Sequence, residues 1–366
     1  MADQKPALYQ VHKSSGADFT DFGGWEMPVA FDSISTEHSA VRQSVGVFDV
    51  SHMSEVSVSG PDAMQLMEYL TSNSIGELAP GDAQYSCILN NNGIIIDDTV
   101  VYRYPTTEGY LFVPNAGHGE QMTDRWRKAA TKRELVVDIK NKTQEIGLIA
   151  VQGPDAVNTV ESVATGEVSS IDRFTCQRSK ISNVDCLVAR TGYTGEDGFE
   201  IFFPVSDSEM IWNAFEDIQS CGLGARNTLR LEAGLLLSGQ DFHPRDEPRT
   251  PLEAGLEFTV DMTKNEFIGQ DVLREQERRG ISQRMVGLRI EERAIARHGH
   301  PLQHDGTEIG HVTSGTMSPT FNRPLALGYV EESYAKEGTS IEVEIRGKPA
   351  DATVQNQRFL DVLEPN

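Results

Sequence analysis

Cysteine is scarce and unpaired in this chain. Its 366 residues hold four, Cys87, Cys176, Cys186 and Cys221. No two form a CxxC pair, so neither a zinc-thiolate nor a dithiol redox motif follows, and scattered thiols of this kind read as buried or bystander groups. Long apolar runs are missing too: none approaches the roughly 20 residues of a membrane span. The opening MADQKPALYQ lacks the apolar h-region of a secretory signal, and a cytoplasmic location is expected. There is no GxSxG elbow and no Walker loop. Positive charge is short: 32 Lys plus Arg stand against 55 Asp plus Glu, a formal net charge of -23. Such a surface repels nucleic acid and anionic membranes, and neither is expected as a partner. The acids are spread along the chain rather than gathered in a tail. That leaves a partner-selective acidic surface or, the favoured reading, a halophilic adaptation in which salt screens the self-repulsion.

What is present suffices for a folded protein. Hydrophobic residues make up 38% of the chain, and at about 150 residues per domain the length suggests two or three domains. Short β-branched runs read as strands: VSVSG, SCILN, IIIDDTVVYRY, GYLFVPN, IGLIAVQG, GFEIFFPV, ALGYV and SIEVEIRG. Apolar residues at helical spacing predict helices over 63–70, 119–130, 208–219 and 228–237. Strands and helices are interspersed without a βαβ rhythm, which predicts an α+β fold. After about Gln283 helical pattern gives way to strands separated by Gly, Pro and Asn turns, the pattern of a small β-barrel or sandwich. The charged helical segment 265–284 would join it to the rest.

Three segments could carry chemistry. In the run from Asn91 to Val101, Asp97 and Asp98 sit inside an otherwise apolar strand. Strand neighbours point to opposite faces, so one acid faces in and the other out. An inward carboxylate needs partners, which makes the pair a candidate site; the alternative is an exposed strand end at a turn. In the run from Arg190 to Glu200, Gly192, Gly195 and Gly198 let the backbone approach a ligand. Glu200 could accept paired N–H bonds from an amidine-like edge, or the segment could be a charged hairpin loop. In the run from Gly222 to Gly234, a glycine turn enters a helix, with Arg226 near a start that favours anions. Arg230 and Glu232 read as structural ion-pair residues. His298, His300 and His304 have no acid or thiol pattern to complete a metal site, and His52 reads as a hydrogen-bonded structural histidine.

Together with FGGWEMPV at 22–29, Val41-Arg42 and VFDVSHM at 47–53, these segments fall in a fixed order: GxxxDDxxV, VQGP, GYTGEDGFE, GLGARxTLRLEAG, GQD and VTSGTxSPT. In that order, from about Tyr9 to the last barrel strand, the chain resembles the glycine-cleavage T-protein (aminomethyltransferase) family. The resemblance implies a three-domain cloverleaf around a folate-binding channel with a small C-terminal β-barrel. The expected boundaries are 1–55 plus 143–284, an inserted 56–142, and 285–366. It implies transfer of the aminomethyl carbon from the lipoyl arm of an H-protein to tetrahydrofolate, a co-substrate, with no metal. It places the catalytic carboxylate at Asp98, the pterin contact at Glu200 and a substrate-binding arginine at Arg226. Met53, Tyr85, Asn115 and Tyr193 match positions lining the folate pocket. The chain departs from the family at Asn92, Asn227 and Ser238, and its tail after Phe359 lacks the C-terminal substrate contact. A related tetrahydrofolate-dependent demethylase is the alternative. A non-catalytic folate-binding protein is another, though its KGC-type cysteine motif is missing.

Overall fold

The computed structural model describes residues 2–106 and 108–364. Three large sheets organise them. The first has seven strands, in spatial order Ala164–Thr165, Cys176–Ile181, Val184–Ala189, Gly198–Pro204, Ile146–Gln152, Gly46–Asp49 and Gln219–Cys221. Only the last pairing is parallel. Ile146–Gln152 lies near the middle, buried along almost all its length, which is why its sequence is an unbroken apolar run rather than an alternating one. The second sheet runs Ala83–Leu89, Ile95–Arg103, Tyr110–Val113, Val56–Ser59 and Asp138–Asn141. The third is a closed six-stranded barrel, Gln283–Ile290, Arg323–Glu331, Thr307–Ser318, Pro301–His304, Ser340–Ile345 and Lys348–Gln355. Closure leaves it no free edge. The class is α+β with a C-terminal β-barrel, as the strand and turn pattern predicts.

Ile95–Arg103 shows why a mixed sequence makes a strand. Its burial alternates from Ile95 to Val101, the mark of a strand with two different faces. Asp97 is buried on one face, while Asp98 and Val100 face a central cavity on the other. The exposed strand end is thereby excluded.

Leu223–Glu232 is the helix nearest that cavity. It is packed at its start against Trp25–Ala30, so closely that a Cβ on Gly222 would lie 2.4 Å from the Val29 carbonyl oxygen; only glycine fits there. The helix begins five residues before, and ends five residues before, the predicted 228–237. Gly234 adopts φ 72°; its N–H bonds Leu231 O at 3.1 Å, and the Leu235 N–H bonds Arg230 O at 2.9 Å. That Schellman geometry closes the helix and turns the chain away. The helix predicted over 208–219 is shorter, Ser208–Asn213, and Gln219–Cys221 is drawn out as a strand beside Gly46–Asp49.

Two hairpins carry no strong signal in the sequence. One joins Asp18–Phe22 to Trp25–Ala30. The other joins Cys176–Ile181 to Val184–Ala189 through Ser182 and Asn183, both at positive φ (47° and 70°). That is the two-residue turn whose twist suits a hairpin, made without its usual glycine.

The acidic excess is carried largely outside. Surface pairs such as Lys140–Asp138 and Lys142–Glu145 contribute little individually, and 32 Lys plus Arg cannot neutralise 55 acids. Screening shortens the Debye length from about 30 Å at 0.01 M to about 3 Å at 1 M salt. The thermal midpoint is therefore expected to climb from dilute buffer into molar potassium chloride. A flat or falling midpoint across a salt series would assign the acids to partner binding instead.

Candidate active site

A cavity of about 680 Å³ opens where the two open sheets meet the helix Leu223–Glu232 and the C-terminal tail. Met53, Tyr85, Asp98, Asn115, Tyr193, Glu200 and Arg226, all seven residues expected at the site, lie on its wall. The loop Thr191–Gly198 and the strand Ile95–Arg103 both contribute to it, and they touch where the Tyr102 hydroxyl lies 2.9 Å from Thr191 Oγ1.

Asp98 is held on both oxygens. The Tyr85 hydroxyl donates to Oδ2 at 2.6 Å and the Asn115 side-chain amide donates to Oδ1 at 2.6 Å. The same amide nitrogen lies 2.7 Å from Oδ1 of Asp97. Burial and the neighbouring Asp97 charge push the Asp98 carboxyl up to about 6, against the lowering effect of the Tyr85 and Asn115 hydrogen bonds. Asp98 is therefore an anion at neutral pH but a readily protonated one.

Glu200 is oriented by two hydroxyls. Thr191 donates to its Oε2 at 2.5 Å and Tyr102 at 2.9 Å, and those two hydroxyls lie 2.9 Å from each other. No described residue donates to Oε1. Sequence reasoning missed Tyr102 and Thr191, because the register that sets strand Gly198–Pro204 beside this lobe cannot be read locally. Burial pushes the Tyr102 phenol far up, helped by the Glu200 charge, so it acts as a neutral donor.

Arg226 lies over the Tyr193 ring, 4.7 Å from its centroid. Its Nη1 is buried without a partner among the described residues. Burial lowers its pKa and the Glu200 charge opposes this. A buried guanidinium N–H left without an acceptor, in a residue that lines a cavity, calls for one from a ligand.

His52 differs from its expected role. It is buried, lines the cavity and has no hydrogen bond on Nδ1. Its ring meets Phe22 edge-on at 5.3 Å. Burial, then the Arg226 charge, pushes its pKa down to about 3, Asp49 opposing. It is a neutral cavity wall rather than a hydrogen-bonded structural residue.

Arg230 and Glu232 are structural, as expected. Arg230 pairs with Asp241 at 2.6 Å and reaches Ser314 Oγ at 2.8 Å. Asn227 accepts from Arg230 Nε at 2.9 Å, so its amide does the work an aspartate could do there. His298 and His304 bond backbone carbonyls of the barrel, Thr313 O and Ser340 O. The tail does reach the site: Gln357, Arg358 and Asp361 line the cavity. Phe258, largely exposed, stacks on Tyr85 at 6.1 Å between centroids beside them.

A walled cavity that gathers two oriented carboxylates and an unspent cation has the makings of an enzyme's active site. Known proteins make the class specific. Residues 8–264 match the GCVT N-terminal domain, and residues 283–361 match the glycine cleavage T-protein C-terminal barrel domain. The probable aminomethyltransferase of Natronomonas pharaonis is 50% identical over 99% of this chain and 100% of its own. The aminomethyltransferase of Desulfitobacterium hafniense (strain DSM 10664 / DCB-2) is 39% identical over 96% of both chains. The crystal structure of glycine cleavage system aminomethyltransferase T from Bartonella henselae superposes with a TM-score of 0.90 at 32% identity, covering 97% of this chain and 98% of that one. The chain belongs to the glycine cleavage T-protein family and is an aminomethyltransferase of that family.

Proposed function

We propose that the protein takes the aminomethyl group carried on the lipoyl arm of an H-protein and gives its carbon to tetrahydrofolate. The products are 5,10-methylenetetrahydrofolate, ammonia and the dihydrolipoyl H-protein. The observation that carries this reading is the pairing of Asp98 with Glu200 across one cavity. Each is held by hydroxyl or amide donors, and Glu200 Oε1 and Arg226 Nη1 are left unspent.

The residues fit a reduced pterin. Its 2-amino group and ring N–H form a paired donor edge, and Glu200 can receive them at two points. Oε1 is free for one. Oε2 accepts the other once the Tyr102 hydroxyl turns to Thr191 Oγ1, 2.9 Å away. Arg226 Nη1 supplies a donor to an acceptor on the ligand. Met53, Tyr85 and Tyr193 line the cavity around it and exclude water from the reacting carbon.

Asp98 then has two tasks. It orients the nucleophilic folate nitrogen, and it stabilises the positive charge that builds on the carbon as its bonds to nitrogen and to sulfur break; two folate nitrogens bond to the carbon, and their two protons leave on ammonia and on the released thiol. Tyr85 and Asn115 hold the carboxylate in place beforehand, so little reorganisation accompanies the reaction. Positioning two large substrates supplies much of the remaining acceleration.

Glu200→Gln is expected to weaken tetrahydrofolate binding by about 1.5–3 kcal/mol, the range for hydrogen bonds to a charged group. Calorimetry with the full chain measures it, and unchanged affinity would remove Glu200 from the pterin contact. Formation of ammonia and methylenetetrahydrofolate from aminomethylated H-protein tests the reaction itself. Tight folate binding without that turnover would favour the non-catalytic alternative.

A further inference from the structure

Behind the cavity wall the acid pair leads to a histidine at the surface. We propose that His118 is a positioning residue which, acting through Asp97 and the Asn115 amide, keeps Asp98 ionised and turned toward the cavity. This rests on the reading of Asp98 as the working carboxylate and extends it to residues that never meet substrate.

The groups stand in line. His118 Nδ1 lies 3.1 Å from Asp97 Oδ2, an ion-pair contact without hydrogen-bond alignment. Asp97 is fully buried, and its Oδ1 accepts from Asn115 Nδ2 at 2.7 Å and from the Asp98 N–H at 3.0 Å. Asn115 Nδ2 also donates to Asp98 Oδ1 at 2.6 Å. One amide group thus bridges two carboxylates that would otherwise repel each other directly. The turn is fixed by its backbone, since the His118 N–H donates to Asn115 O at 3.0 Å. His118 stands just before the helix Gly119–Lys132, and its side chain is 31% exposed. It is the member of the chain that exchanges protons with solvent.

Three titratable neighbours of Asp98 are neutral at working pH. Burial pushes the Cys87 thiol, on the partner strand, up to about 12. The Tyr85 and Tyr193 phenols are also pushed up by burial, and the Asp98 charge adds to it. On its own helix His118 is followed by Glu120, whose carboxylate takes Asn141 Nδ2 at 3.4 Å. The helix N-terminus disfavours a cation at His118, yet the imidazole pKa is raised, first by its contact with Asp97 and further by the Asp97 and Asp98 charges, against desolvation. A protonated His118 therefore offsets the Asp97 charge. That charge is what raises Asp98, after burial itself.

The signs are opposite for the two groups behind Asp98. His118→Asn removes the compensating cation, so Asp98 becomes harder to ionise. Asp97→Asn removes the repelling anion, so Asp98 becomes easier to ionise. The test is the pH dependence of kcat for the full chain, with aminomethylated H-protein and saturating tetrahydrofolate at fixed salt. His118→Asn should move the acid limb up by about half to one pH unit, an interaction of about 1 kcal/mol, with the alkaline plateau within about twofold of the parent. His118→Lys, which keeps a cation there, should bring the limb back. Asp97→Asn should move it down. Should Asp97→Asn fail to fold, the His118 pair decides alone, since that side chain is partly exposed. An unmoved limb in His118→Asn, or a lysine variant that behaves like the asparagine one, overturns the proposal. Asp98→Asn is measured beside them: retained turnover there defeats the catalytic reading itself, whereas lost turnover with unmoved limbs defeats only the role of His118.

Discussion

Asp98→Asn is expected to lower turnover by about a hundredfold or more, the scale for removing one preorganised electrostatic stabiliser, with the thermal midpoint held. The geometry explains why the two effects separate. An asparagine has the same shape, and its amide oxygen can take the Asn115 N–H that Asp98 Oδ1 takes now at 2.6 Å. Its amide nitrogen would face the Tyr85 hydroxyl, which can accept as readily as it donates. One of two adjacent buried charges is lost, so the fold gains relief rather than strain. What disappears is the negative charge facing the reacting carbon. Asp97→Asn, one residue away but facing the lobe interior, is expected to change the plateau rate far less. Ammonia release under saturating substrates, with a melt of each variant, measures both. Equal losses from the two substitutions would mean that the pair acts by its total charge and not through Asp98.

Glu232→Gln carries the largest expected cost in stability, about 3 kcal/mol, the low end for removing one partner of a buried ion pair. Glu232 is fully buried. Its Oε2 meets Arg42 Nη2 at 3.0 Å, His38 Nε2 at 3.2 Å and the Thr320 hydroxyl at 2.7 Å, while Oε1 accepts from Ser318 at 2.5 Å. Arg42 keeps three other partners, Glu196 at 2.8 Å, Thr194 O at 2.7 Å and Leu229 O at 3.2 Å, which is why the low end applies. Burial raises the Glu232 carboxyl, but the His38 and Arg42 contacts outweigh it and leave the pKa below its usual 4.5. A carboxylate depressed in this way contributes stability above the ordinary carboxylate range and loses it as pH falls through the folded value. The parent's denaturation midpoint should thus fall in acid faster than that of the glutamine variant, and the gap between them should close there. A constant gap from neutral pH down to strong acid would mean that Glu232 acts by packing alone.

The elements legible in the sequence are those whose signal is local. The alternating strand around Asp97 and Asp98, the amphipathic helix Ala63–Leu70 and the turn-rich barrel follow from periodicity. The acid pair stands out in the sequence as a candidate site because a carboxylate within an apolar strand demands partners. Those partners do not. Tyr102 reaches Glu200 across 98 positions of sequence, and His38 reaches Thr320 across 282. No local pattern encodes such meetings. The helix at 223–232 was misplaced because Gly222, Gly224 and Gly234 look like breakers. In fact one glycine admits a neighbouring strand and another caps the helix. His52 was misread because the ordinary expectation for a buried histidine is a bonded one, and here the cavity takes the place of the partner.

All four thiols of the chain are interior, and burial raises each of them, Cys87 and Cys176 to about 12 and Cys186 to about 11, with Cys221 higher still. Cys87 sits directly opposite Asp98 in the strand ladder, yet its sulfur turns away from the cavity toward Thr259 at 3.3 Å. On the proposed reaction, the product released beside that strand is a dithiol, a species that opens disulfides by thiolate attack. All four cysteines are free and buried, so the protein holds no disulfide for that product to open. The carrier's sulfurs can come and go without exchanging bonds with the enzyme.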